Sequence, residues 1–82
     1  MFFVYVLYSE EIDRYYVGQT DNIETRLQSH LSGISKYTSV TKDWTIVYYE
    51  TFQTREEAIK RENEIKRKRS RRYIEWLVQN KD

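Results

Sequence analysis

The chain has 82 residues, 33% of them charged and 39% hydrophobic, with no cysteine, no proline, one histidine and a formal net charge of +1. That length encloses one core, so a single domain over residues 1–82 is expected. The missing cysteines exclude a disulfide scaffold, a thiol nucleophile and a cysteine zinc site, and the lone histidine excludes a His-rich metal site. No apolar run spans a bilayer and no signal-peptide pattern opens the chain, so a soluble cytoplasmic domain with no membrane partner is expected.

Phe2 to Tyr8 is aromatic and β-branched almost without interruption, which predicts a strand covered on both faces. The polar segment Ser9 to Asp13 predicts a turn, and Arg14 to Gln19 an antiparallel partner strand with Gly18 near its end. There the missing side chain leaves room for close approach of backbone or ligand. Asp21-Asn-Ile-Glu24 has capping-box spacing, with Asp21 as candidate cap of a helix carrying Ile23, Leu27, Leu31 and Ile34 and stopping at Gly33. Residues 34–43 lack periodicity and predict a loop, and Trp44 to Glu50 predicts a third strand. Thr54-Arg-Glu-Glu57 is a second capping box, opening a helix to about Lys68, and Ser70 caps a third over Arg71 to Gln79. The expected fold is therefore α+β: a small three-stranded, mainly antiparallel sheet flanked by three helices in the order ββαβαα.

Charge is polarised along this order. Residues 1–59 hold five basic and nine acidic side chains, whereas residues 60–82 hold nine basic and four acidic ones. Lys60 to Arg72 alone contains eight Lys or Arg and two Glu. Such a run is either a solvated helix face or a surface for phosphates. The aromatic content of 16% is accounted for by packing in a thin core.

Some residues do not fit a purely structural reading. At about 100° per residue, Arg26 and His30 lie one turn apart on one edge of the first helix's apolar stripe. That position suits a snorkelling arginine and a core-edge histidine, or a functional pair. On the second helix, Glu62 falls within the apolar sector marked by Ala58 and Ile65. A carboxylate facing a core needs a partner, either a buried ion pair, Arg26 being the candidate, or a metal. Tyr5 and Tyr16 lie on neighbouring strands. Together these side chains supply hydroxyls to orient water, a cation for phosphate, an imidazole for protons and a hard oxygen ligand.

In order and spacing these residues resemble the GIY-YIG nuclease domain over about residues 2–78. Its first motif stands here as Phe3-Val4-Tyr5, with Phe and Val in place of the motif's Gly and Ile, and its second as Tyr16-Val17-Gly18. The family's helical arginine and histidine match Arg26 and His30, and its metal-binding glutamate matches Glu62. Gln19 stands where a small hydroxyl residue is frequent. The Glu64-Ile-Lys66 segment and the Lys36-Tyr-Thr38 loop look most like small stand-alone bacterial members.

The resemblance implies a DNA endonuclease, in repair, recombination or processing, using one divalent cation, Mg²⁺ or Mn²⁺, held by Glu62. It implies Arg26 on a phosphate oxygen, Tyr16 on the phosphate or supporting Tyr5, and either Tyr5 or His30 as general base. DNA would lie on the basic segment, with Lys36, Lys42, Lys60, Arg61, Lys66, Arg67, Lys68 and Arg69 as candidates, continuing to Arg72. RNA is an alternative substrate, a partner protein a source of targeting, and a catalytically inactive nucleic-acid-binding module the alternative function.

Overall fold

The computed structural model describes residues 1–32 and 39–80. The elements follow the expected order: β1 (Phe2–Ser9), β2 (Arg14–Thr20), α1 (Ile23–Leu31), β3 (Thr45–Phe52), α2 (Arg55–Lys68) and α3 (Arg71–Gln79). The sheet is antiparallel throughout, in the order β2-β1-β3. The most apolar strand therefore occupies the centre, and Val4 to Leu7 are buried. Side chains alternate across it. Val4, Val6 and Val17 pack with Ala58, Ile65 and Leu77, under α2 and α3. Tyr5 and Leu7 pack with Trp44, Tyr16, Ile23 and Leu27, under α1.

The hairpin turns through Asp13, whose φ of 54° is in the left-handed region that Asp tolerates. Its carboxylate accepts the Tyr8 hydroxyl at 2.6 Å and also pairs with Arg71. The segment leading into β3 is tied to the same turn. Asp43 accepts the Ser9 hydroxyl, the Thr41 hydroxyl at 2.7 Å and the Glu11 amide at 2.9 Å. Those donors, Ser9 foremost, hold its carboxyl down at about 2.

Three local expectations are corrected. Asn22, not Asp21, caps α1: its side chain accepts the Thr25 amide at 3.0 Å, while Asp21 turns to Arg55 at 3.5 Å. The strand β3 starts at Thr45, because the Trp44 indole is drawn into the α1-side core, and continues to Phe52. Gly18 offers no open space, as described below. The expected ends of the first helix at Gly33 and Ile34, and Lys36, lie outside the described residues. By contrast, the Thr54–Glu57 capping box and the Ser70 cap form as expected.

One ion pair joins three elements. Arg61 on α2 donates from Nε and Nη2 to both Glu50 carboxylate oxygens on β3, at 2.9 and 3.0 Å, and from Nη1 to the Tyr73 hydroxyl on α3 at 3.3 Å. Tyr48 adds its hydroxyl to Glu50. Burial opposes ionisation of Glu50, but Arg61 and Tyr48 prevail and its net shift is downward. With both side chains little more than a fifth exposed, this pair is structural. Replacing Glu50 with alanine leaves the guanidinium without its counter-charge and is expected to cost about 2 kcal/mol, lowering the thermal midpoint by roughly 10 °C in a melt followed by circular dichroism.

Candidate active site

The site is built around one phenol. Tyr5 on β1 lies directly across from Gly18 on β2. A Cβ at position 18 would stand 2.5 Å from the Tyr5 hydroxyl and 2.7 Å from Cζ, so the ring occupies the space that a side chain would need. The glycine thus makes room for a tyrosine from its own sheet.

From the other side α1 brings two groups to the same oxygen. Arg26 Nε donates to Tyr5 Oη at 3.3 Å, and Tyr5 Oη lies 2.9 Å from His30 Nε2. The two helical residues are four apart, so one helix face aims both at the sheet while Ile23 and Leu27 anchor that face in the core. Tyr16 packs its ring edge-on to His30 with centroids 4.9 Å apart, and its centroid lies 6.4 Å from that of Tyr5. The structure thus brings Tyr5, Tyr16, Gly18, Arg26 and His30 together, as the sequence pattern led us to expect.

The electrostatics follow from burial. His30 is fully buried and Tyr5 only 2% exposed. Desolvation, reinforced by the Arg26 charge, pushes the imidazole down to about 4. Desolvation likewise pushes Tyr5 up to about 12, with Tyr16 and Glu62 adding to the rise and the Arg26 hydrogen bond opposing it. At neutral pH His30 is uncharged, so the contact between Tyr5 Oη and His30 Nε2 is a neutral hydrogen bond whose donor is set by the imidazole tautomer. Arg26 donates to the same oxygen, so Tyr5 Oη links the guanidinium to the imidazole. Tyr16 and Arg26 are only partly buried and form the outward layer.

Glu62 completes the set from α2. Its side chain is 17% exposed, turned inward beside the buried Ala58 and Ile65, and its charge is felt at Tyr5. Its partner is Lys66, whose Nζ lies 2.6 Å from Oε2, and not the Arg26 considered from sequence. The Glu-to-Lys spacing of four along a helix was the available signal. As a ligand set, one carboxylate and several hydroxyls suit a hard divalent ion that keeps most of its water. No cluster of three or more His, Asp or Glu able to cage a metal occurs among the described residues. Glu62 could therefore hold Mg²⁺ or Mn²⁺ as a sparse site, once Lys66 releases its oxygen.

The basic run divides into distinct settings. Arg61 is engaged by Glu50 and Tyr73, which ties it into the packing of β3, α2 and α3. Lys68 lies over the Tyr73 ring at 5.4 Å. Lys60 and Arg67 share the outer face of α2 with Glu56 and Glu64. Lys66 and Arg69 face the β2 side instead, with Arg14, which follows Asp13 at the start of a strand and lies outside the basic run.

Comparison with known proteins gives one consistent result. The family model described as the GIY-YIG catalytic domain matches residues 1–74. A UPF0213 protein of Streptococcus pneumoniae serotype 4 is 35% identical over 81 residues, covering 98% of this chain and 81% of that protein. A UPF0213 protein of Staphylococcus haemolyticus is 37% identical over 65 residues, 78% of each chain. The solution NMR structure of a UPF0213 protein from Bacillus halodurans superposes with a TM-score of 0.61 at 35% identity, over 99% of this chain and 86% of that one.

Two measurements check the geometry. The folded imidazole titrates below its unfolded value of 6.5, so the unfolded chain binds more protons between pH 6.5 and 4. Stability is then fully present above pH 6.5 and is lost as pH falls towards 4, by about 3 kcal/mol from this group. A His30→Gln variant is expected to flatten the thermal midpoint between pH 6.5 and 4.5. Substituting Gly18 with alanine is expected to cost about 1–3 kcal/mol through the displaced Tyr5 ring. In a double-mutant cycle of thermal melts, Tyr5→Leu should recover part of that loss, whereas simple additivity would contradict the packing.

Proposed function

The chain belongs to the GIY-YIG family, and on that premise we propose that it is an endonuclease hydrolysing DNA phosphodiester bonds. The observation that carries this reading is the convergence of Arg26 and His30 on the Tyr5 hydroxyl, with Glu62 alongside. The phenol has a cation on one side and an uncharged imidazole on the other, groups suited to a phosphate and an attacking water.

The division of labour follows exposure. Arg26 and Tyr16, on the outward layer, meet the non-bridging oxygens of the phosphate, and the guanidinium stabilises charge as it grows in the transition state. Tyr5 orients the attacking water from the floor of the site. Alone, a phenol at about 12 is a poor base. With the imidazole proton on Nδ1, the phenol's own proton is donated to His30 Nε2. As Oη takes a proton from water, the phenol proton passes to the imidazole, so Tyr5 is the relay and His30 the terminal acceptor. The water oxygen forms the new P–O bond, the bond to the leaving oxygen breaks, and that oxygen takes a proton from solvent. A divalent cation, Mg²⁺ or Mn²⁺, when bound at Glu62 supplies charge neutralisation at the phosphate and the leaving oxygen.

One observation favours a second reading, a nucleic-acid-binding module without chemistry: Lys66 occupies a Glu62 oxygen. A nicking assay on supercoiled plasmid and branched DNA, at low salt with Mg²⁺ or Mn²⁺, separates the two. Cutting by the wild type is expected, with Arg26→Ala slower by about 10²- to 10³-fold and Glu62→Ala inactive although folded. Binding without cutting in every metal and on every DNA form establishes the module instead.

A further inference from the structure

A cleft of about 420 Å³ runs beside the free edge of β2, between that strand and the turn joining α2 to α3. Four cations line it: Arg14 from the start of β2, Lys66 and Arg69 from the end of α2, and Arg71 from the start of α3. Asp13 is the carboxylate on its lining, and it is bound to Arg71, which also pairs with Glu75. Lys66 is engaged by Glu62. Arg14 and Arg69 are exposed, and neither has an ion-pair partner among the described residues. Arg69 is fixed in place by the backbone. It closes α2 at a φ of 47°, its amide bonded to the Lys66 carbonyl.

The cleft lies on the α2 and α3 side of the sheet, with Val17 and Ile65 in its lining, and meets the site at two residues. Tyr16 lines it while its ring packs on His30, and Lys66 lines it while its ammonium holds Glu62. The opposite face of α2 differs. There Lys60 and Arg67 stand in a second depression with Glu56 and Glu64, two cations against two carboxylates. Among the described residues, the depression beside β2 has the larger excess of cations of these two, and it borders Tyr16.

We propose that the phosphodiester backbone of the substrate leaves the site along this cleft, and that Arg14 and Arg69 hold phosphates flanking the scissile one. This deepens the nuclease reading and rests on it. It assigns a binding role to Arg14 and moves Lys60, Arg61 and Arg67 off the DNA track. The contacts are to phosphates, so they set register and direction and read no sequence.

The test is fluorescence anisotropy of a labelled DNA oligonucleotide with the full chain, in EDTA, across about 50 to 200 mM salt. Two variants each remove two cations: Arg14→Gln with Arg69→Asn, asparagine being chosen because it tolerates the left-handed backbone, and Lys60→Gln with Arg67→Gln. Circular dichroism checks that both fold. The first variant is expected to bind at least tenfold more weakly at low salt, with the slope of log affinity against log salt reduced by about two. The second is expected to change the slope by less than about 0.5. Equal losses, or a greater loss in the Lys60 and Arg67 variant, overturn the proposed track while leaving the nuclease reading intact. If the wild type fails both to bind DNA and to nick plasmid, the nuclease reading falls and the track with it.

Discussion

Everything in the site depends on the Tyr5 hydroxyl having nowhere else to go. The ring stands on the central strand with β2 on one side and β3 on the other, and it lies over Gly18, where a methyl group would collide with it. Packing in an interior at crystal-like density then fixes the oxygen to a fraction of an ångström. Only because that oxygen is fixed can a helix of nine residues present two groups to it, a guanidinium and an imidazole. Burial supplies the rest. It removes charge from His30 and keeps the proton on Tyr5, so at neutral pH the two meet as uncharged partners beside the Arg26 cation.

Much of this was legible in the residues, and the limits of legibility have physical causes. Period-2 and period-3.6 patterns locate strands and helices because burial enforces them, and the Thr54 and Ser70 caps could be read because their partners are local in sequence. Arg26 and His30 were visible as polar residues on an apolar edge. What stayed illegible shares one feature: the deciding partner came from a distant element. Asp21 and Asn22 are equally good caps by chemistry, and Arg55 on α2 settles the choice by drawing Asp21 away. Arg61 looks like its neighbours in a basic run until Glu50 on β3 takes it. Gly18 looks like space for a ligand until the register sets Tyr5 opposite it.

The same long-range pairing explains how a chain of net charge +1 can still carry a basic groove. Carboxylates of the first half neutralise cations on α2 and α3: Asp21 meets Arg55, Glu50 meets Arg61, and Asp13 meets Arg71. These pairs dock the helices on the sheet. Of the cations they leave over, Arg14, Lys66 and Arg69 face β2, where Asp13 is the acid of the lining, and Lys60 and Arg67 on the outer face of α2 meet Glu56 and Glu64. Structural neutralisation on one side of the helix is what gives the field a direction.

The buried phenol, its glycine, the arginine and the histidine all lie on one stretch of chain between Tyr5 and His30, whereas the carboxylate arrives on α2 from the other half. The Tyr5 cluster therefore needs only the hairpin and the first helix, whereas Glu62 joins it only when α2 docks on the sheet. In the proposed nuclease, a molecule with α2 undocked would lack the carboxylate that would hold the cation, so turnover would report on the whole tertiary fold.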